Sequence, residues 1–443
     1  MFIMRKLFLS LIPLAALLSC DDDDPGVPMT TPTSFTVRIE NVTEAKPFFS
    51  SGTIPGILMP GEEQEFTFEA GPVTLPGANT KLSLVTMLVQ SNDLFLGPGE
   101  GGIALYDNGN RTIGDVTDQV DLWDAGTEVN EEPGVGPNQA PRQSGPNTGT
   151  DENGTVILVE DSGDGFTYPE VSEVIQVEIE ALAGSDTGFK VIIRNISDGS
   201  SLPTPFAGLA WAVHTEDGPF FTVGEADRGD GLEDIAEDGD ATNLGTYSDD
   251  NTGLVTPLSP GVWAVHDTGV NPLFTSGSAD LGEGLEDIAE DGDPAALAGV
   301  LSGKAGVSSS DLFNTPVGAG APGPAVPGGA YEFTISAEDG DYLSFATMFI
   351  QSNDLFYTFA EGGIALFNNG TAISGDVTSS VLLYDAGTEV NEFPGAGLNQ
   401  AIRQSGLDTG MDENGVVTNI NNINDGFTYP DIANIVQVTI TPQ

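Results

Sequence analysis

Residues 82–95 read Leu-Ser-Leu-Val-Thr-Met-Leu-Val-Gln-Ser-Asn-Asp-Leu-Phe, a β-rich apolar run from Leu82 to Gln90 that breaks at Ser91-Asn92-Asp93 and resumes at Leu94. Similar short runs occur at Glu65–Phe68, Ile103–Tyr106 and Val174–Ile179, separated by clusters of Gly, Pro, Asn and Asp. Short strands with frequent turn signals predict an all-β chain of antiparallel sandwich type.

The same stretch returns as Thr347-Met-Phe-Ile-Gln-Ser-Asn-Asp-Leu-Phe356. The match extends without a gap from Leu84–Glu180 onto Phe345–Thr441 at a constant offset of 261 positions, with more than half of the residues identical. A repeat of this length marks a duplicated domain. An alternating strand precedes each copy, Phe35–Ile39 and Phe189–Ile193, so the expected organisation is one sandwich of about eight strands at 33–182 and a second at 188–443. Between about 200 and 310 the second is expected to carry an insert. There Trp211-Ala212-Val213-His214 and Gly231–Asp240 are copied as Trp263-Ala264-Val265-His266 and Gly284–Asp293. Leu285, Ile288 and Ala289 stand at helical spacing before Gly292, which predicts a short surface helix with its acidic side chains in solvent.

Acidic side chains number 67 against 12 basic ones, a formal net charge of -55. Such a chain repels phosphate backbones and anionic headgroups, which excludes nucleic acid as a partner and favours divalent cations or basic proteins. At the N-terminus, Arg5 and Lys6 precede an apolar run, Leu7–Leu18, that is too short to span a bilayer. Residues 1–20 therefore read as a signal peptide. Leu17-Leu18-Ser19-Cys20 resembles a lipobox, in which Cys20, the single cysteine, becomes the lipidated first residue of the mature protein. Residues 21–32 follow as an acidic linker opening on Asp21–Asp24, which resembles the sorting signal of surface lipoproteins and reads equally as a solvated tether. The expectation is a protein held at the outer membrane or cell surface by a lipid, facing outward or into the periplasm, with no transmembrane helix.

Among candidate site residues, Asp93, Asp124 and Glu128 recur at the same spacing as Asp354, Asp385 and Glu389. Two carboxylates four residues apart across an Ala-Gly bend, joined by a third from a strand end, can form an oxygen cage for Ca²⁺, and three clustered like charges repel without a cation. The alternative is that they cap turns by accepting backbone N–H bonds.

The Ser-Asn-Asp strand end followed by Trp123 or Tyr384 and Asp-Ala-Gly-Thr-Glu closely resembles the spondin N-terminal domain of F-spondin-like extracellular matrix proteins. The resemblance covers most of both repeats. It implies an eight-stranded antiparallel sandwich with a bound calcium, held by Asp93, Asp124 and Glu128 in one copy and Asp354, Asp385 and Glu389 in the other. Animal members more usually have Asp at the last of these places. Compared with that pattern the first copy lacks a WAVH block and the second has two.

His214 and His266 stand without a second His or a Cys nearby and read as hydrogen-bonded residues at the core edge. Arg142 and Arg403, in the repeated Arg-Gln-Ser-Gly, are expected either to neutralise a carboxylate cluster or to meet an anionic ligand. The repeated Asp-Glu-Asn-Gly and Asp-Gly-Phe-Thr-Tyr-Pro segments read as turns. No G-x-S-x-G, H-E-x-x-H or phosphate-binding motif is present, so the expected role is not enzymatic. It is calcium-dependent adhesion to an extracellular protein or polysaccharide; a calcium-dependent glycan hydrolase and a structural cation-binding envelope protein are the alternatives.

Overall fold

The computed structural model describes residues 32–73 and 78–443. The signal peptide, Cys20 and the acidic linker through residue 31 lie outside the described residues. No helix among the described residues is long and apolar enough to cross a membrane.

The architecture is all-β, with two sandwiches whose strand pairs are antiparallel. Among the described residues each has eight strands of four or more residues together with shorter ones. In the first, a four-stranded sheet orders Glu63–Glu69, Gly188–Asn195, Ile175–Ala181 and Gly114–Asp115. It faces a larger sheet running Ile157–Leu158, Val120–Asp124, Leu94–Pro98, Lys81–Leu88, Phe206–His214 and Phe48–Leu58. The second sandwich repeats this with Ala330–Ala337, Thr33–Asn41, Val436–Pro442 and Gly375–Asp376 against Val307–Phe313, Leu258–Asp267, Asp341–Phe349, Leu355–Thr358, Leu382–Asp385 and Thr418–Asn419.

Burial explains the two kinds of strand. Thr33–Asn41 buries alternate residues, Phe35, Val37 and Ile39, because one face only meets the core. Lys81–Leu88 is buried along nearly its whole length because both faces are covered. Leu82, Leu84 and Leu88 join the core between the sheets, while Val85 joins a second core beneath the helices Leu232–Asp238 and Thr242–Asp250. Trp211 and Val213 point inward, where Trp211 stacks on Phe66 with ring centroids 4.8 Å apart, and Ala210 and Ala212 face the helices. Leu285–Asp291 forms the expected helix, closed by Gly292 in the left-handed conformation, and packs in the same way on the second sandwich.

The strand pairing corrects the expected division at 33–182 and 188–443. Thr33–Asn41 belongs to the second sandwich, where Val37 lies opposite Phe333 on one side and Ile440 on the other. Gly188–Asn195 belongs to the first, pairing Val191 with Phe66 and Ile179. Phe206–His214 lies between Phe48–Leu58 and Lys81–Leu88, so each sandwich owns one Trp-Ala-Val-His strand and one pair of helices. Neither copy is trimmed or enlarged. The first sandwich, from Phe48 to about Thr252, is inserted whole between the first strand of the second sandwich and its remainder. Phe35–Ile39 and Phe189–Ile193 have the same apolar alternation, so periodicity cannot say which sheet each one completes.

The two sandwiches touch through Phe49 and Phe393, whose ring centroids are 6.5 Å apart, and through Arg403, whose Nε donates to the Pro72 carbonyl at 3.2 Å.

Candidate metal centre

The Ser-Asn-Asp stop is built by its own side chains. Ser91 Oγ donates to the Leu88 carbonyl at 2.5 Å and accepts from the Leu94 amide at 3.2 Å, which closes the turn. Asn92 reaches across to the loop after Asp124, donating to the Val129 carbonyl at 2.8 Å and accepting from the Glu131 amide at 3.1 Å. Asp93 is thereby carried inside, fully buried. Its Oδ2 accepts from the amides of Thr127 at 3.1 Å and Glu128 at 3.0 Å, while Oδ1 is buried with no donor among the described residues, the Asp124 carboxyl being its polar neighbour.

Asp124 ends its strand facing Asp93. Its Oδ1 accepts from the Gly126 amide at 2.7 Å and its Oδ2 from Asn130 Nδ2 at 2.5 Å. Gly126 holds φ 69°, and a Cβ there would meet the Thr155 backbone at 2.7 Å, so the bend needs glycine. The second sandwich repeats the arrangement. Asp354 Oδ2 accepts from Thr388 and Glu389 amides, both at 3.1 Å, and Asp385 accepts from Gly387 at 2.6 Å and Asn391 at 2.7 Å. Asp354 Oδ1 is again buried and unpartnered.

Burial, and next the charge of Asp124, holds Asp93 well above the usual carboxylate range; Asp354 is raised in the same way beside Asp385. Asp124 is raised by burial, and Asp385 is pushed up to about 6. Two carboxylates that resist ionising together, with one oxygen left bare, suit a proton or a hard cation between them.

The third expected ligand is placed differently. One carboxylate oxygen from each of Asp93, Asp124 and Glu152 lies within 4.8 Å of the others, and Glu128 is not in that group. Its amide is tied to Asp93, and from there its carboxylate runs to the other side of the loop, where Oε1 accepts from the Gly149 amide at 2.6 Å. Glu389 does the same with Gly410 at 2.7 Å. Glu128 and Glu389 thus support the loop through the backbone. Glu152 lies in the Asp-Glu-Asn-Gly turn, whose exact repetition in an acidic loop was the available signal. In the second sandwich Glu413 is the corresponding residue and its charge acts on Asp385, but its carboxylate is not grouped with those of Asp354 and Asp385 as Glu152 is with Asp93 and Asp124.

The helices also depart from expectation. Glu237 and Glu290 are only 2% exposed, and burial pushes each up to about 8. Among the described residues no well-formed hydrogen bond reaches either Glu237 oxygen or Glu290 Oε1, and the side chains of Thr127 and Thr388 are the polar groups beside them. These acids face the loops that carry the aspartates, so the acidic face of the helix is not wholly solvated. The twofold copying of Gly-Leu-Glu-Asp-Ile-Ala-Glu-Asp-Gly-Asp was their trace in the sequence.

The histidines sit at the core edge as expected, one in each sandwich. His214 Nε2 meets Ser83 Oγ at 2.9 Å with Nδ1 on the Glu216 carbonyl, and His266 Nε2 meets Ser344 Oγ at 2.9 Å with Nδ1 on the Asp267 carbonyl. Among the described residues neither Arg142 nor Arg403 forms an ion pair, although the charge of Glu392 acts on Arg403. Both hold carbonyl oxygens, Arg142 those of Gln139, Gln90 and Gly134, and Arg403 those of Gln400, Gln351 and Gly395.

No protein-family model matches the chain, and no curated protein matches it.

Proposed function

We propose that this chain is a calcium-binding, lipid-anchored surface protein of the spondin type, in which each sandwich holds one ion and presents an adhesive surface to an extracellular protein or polysaccharide. The observation that carries the reading is the bare, buried Oδ1 of Asp93 and of Asp354, each facing a second aspartate at the same place in both repeats. An oxygen-only donor set with acceptor atoms left unpaired suits a hard cation such as calcium, and does not suit a thiolate- or imidazole-seeking metal.

Asp93, Asp124 and Glu152 would hold the ion in the first sandwich; Asp354 and Asp385, with Glu413 at the edge, would hold it in the second. Bound calcium supplies positive charge where the loop ends carry only negative charge. The protein's own part is to fix the aspartates through the amides of Gly126, Thr127 and Glu128 and their counterparts. The end loops are then ordered before a partner arrives, which lowers the cost of binding it. The role is binding without turnover. The leader and Cys20 support export and anchoring; palmitate labelling that is lost in Cys20→Ala tests the anchor.

Calcium titration by calorimetry tests the sites. Asp124→Asn keeps the shape, removes a charge and weakens an oxygen ligand, so it removes one ion and leaves the ion of the other sandwich, and Asp385→Asn does the converse. Unchanged stoichiometry in both variants overturns the reading.

A further inference from the structure

The geometry points to an additional divalent-cation site in the second sandwich alone, held by Glu286, Glu290 and Asp408 and separate from the paired aspartates. Glu286 and Glu290 are one helical turn apart on the helix Leu285–Asp291, so they project on the same side. One oxygen of each lies within 4.8 Å of the others and of an Asp408 oxygen. The three line an open pocket of about 410 Å³, together with Glu389 and Asp412.

Two observations bear on this group: a buried acceptor without a donor, which the first sandwich shares at Glu237, and a third carboxylate beside it, which the first sandwich lacks. Glu290 is 2% exposed and its Oε1, buried, has no hydrogen-bond partner among the described residues; Glu389, 3% exposed on the same pocket, leaves Oε2 bare in the same way. Acceptor atoms buried without donors are costly unless a cation or proton meets them. The second observation is the first sandwich itself, where the helix pair is Glu233 and Glu237 and the residue corresponding to Asp408 is Asn147. There Asn147 Nδ2 donates to Glu233 Oε1 at 3.0 Å. An amide hydrogen bonds the helix glutamate in one copy; in the other a third carboxylate takes its place, and the group is complete only with positive charge added. Three carboxylates on a half-open pocket fit a hard cation that keeps part of its water, with calcium the natural probe.

The site makes the two sandwiches unequal, with one ion in the first and two in the second. Equilibrium dialysis of the purified chain against calcium, read by atomic absorption, tests this. The expected count is three ions per chain, falling to two in Asp408→Asn and rising to four in Asn147→Asp. Asp408 holds φ 50° and Asn147 φ 48°, so both exchanges keep a backbone conformation that either residue accepts. If Asp408→Asn leaves the count unchanged while Asp124→Asn and Asp385→Asn each remove one ion, this site is wrong and the paired-aspartate sites stand. If Asp408→Asn alone removes an ion, this site stands and the paired-aspartate reading falls.

Discussion

The side-chain amide of Asn41 donates to the Thr256 carbonyl at 2.8 Å, although a whole sandwich separates them along the chain. The same amide donates to Ala325, and in the first sandwich Asn195 repeats the pattern with Leu58 and Thr204. These two buried asparagines fix the end of the same strand in each copy, and they show which strand each sandwich owns.

An interleaved chain predicts where it can be cut. A fragment spanning 44–256 retains every long strand of the first sandwich and should unfold cooperatively on its own. A fragment spanning 33–182 lacks Gly188–Asn195 and Phe206–His214, which fill the middle of both sheets, and should be open to proteases. Circular dichroism melts and limited proteolysis read the difference; a cooperative melt from 33–182 would restore the division suggested by the repeat.

The Glu128 loop should be sensitive at a glycine that bears no charge. A Cβ on Gly149 would stand 1.9 Å from Glu128 Oε2, so Gly149→Ala must push the carboxylate off its amide donor. Unfolding in denaturant should show a loss of about 1–3 kcal/mol. Gly145, around which nothing stands within 4 Å, is the control, and Gly145→Ala should stay within about 0.5 kcal/mol. Equal effects would mean that Glu128 is not held as described.

Burial lowers His214 to about 4, against a usual value of 6.5, with Lys81 opposing its charge and Asp217 and the Glu216 carbonyl favouring it. The folded state therefore keeps the ring neutral where the unfolded chain binds a proton. Stability from this residue is complete above pH 6.5 and is lost as pH falls from 6.5 towards 4, by about 3 kcal/mol in all. Measured as the difference between the parent and His214→Gln, which cancels the many carboxylates, the stability gap should narrow on acidification across that window. A gap that stays constant or widens means that His214 is not buried neutral.

The sandwich class was legible because alternating strands such as Thr33–Asn41 and the turn clusters between runs depend on local chemistry. The duplicate was legible because the offset never changes. Strand ownership was not, since Phe35–Ile39 and Phe189–Ile193 are interchangeable by pattern and differ only in long-range pairing. At the site, Asp93, Asp124, Asp354 and Asp385 were readable from repeated spacing. Glu128 was assigned by its distance of four residues from Asp124, but the bond from its amide to Asp93 turns its side chain away. Glu152 and Glu290 come from segments remote in sequence, and only the fold brings them to the aspartates or to Asp408.

Thermal unfolding of the Asp408→Asn chain in chelator and in calcium measures the paired-aspartate sites with the additional site removed. Binding to the folded state alone contributes RT ln(1 + [L]/Kd), about 2.7 kcal/mol at a hundredfold excess over Kd, or a rise of about 5–10 °C for a domain of this size. That rise is expected, and so is its disappearance when Asp124→Asn and Asp385→Asn are added. An Asp408→Asn chain that melts at the same temperature in chelator and in excess calcium would contradict it, leaving the aspartates as carboxylates that cap their turns.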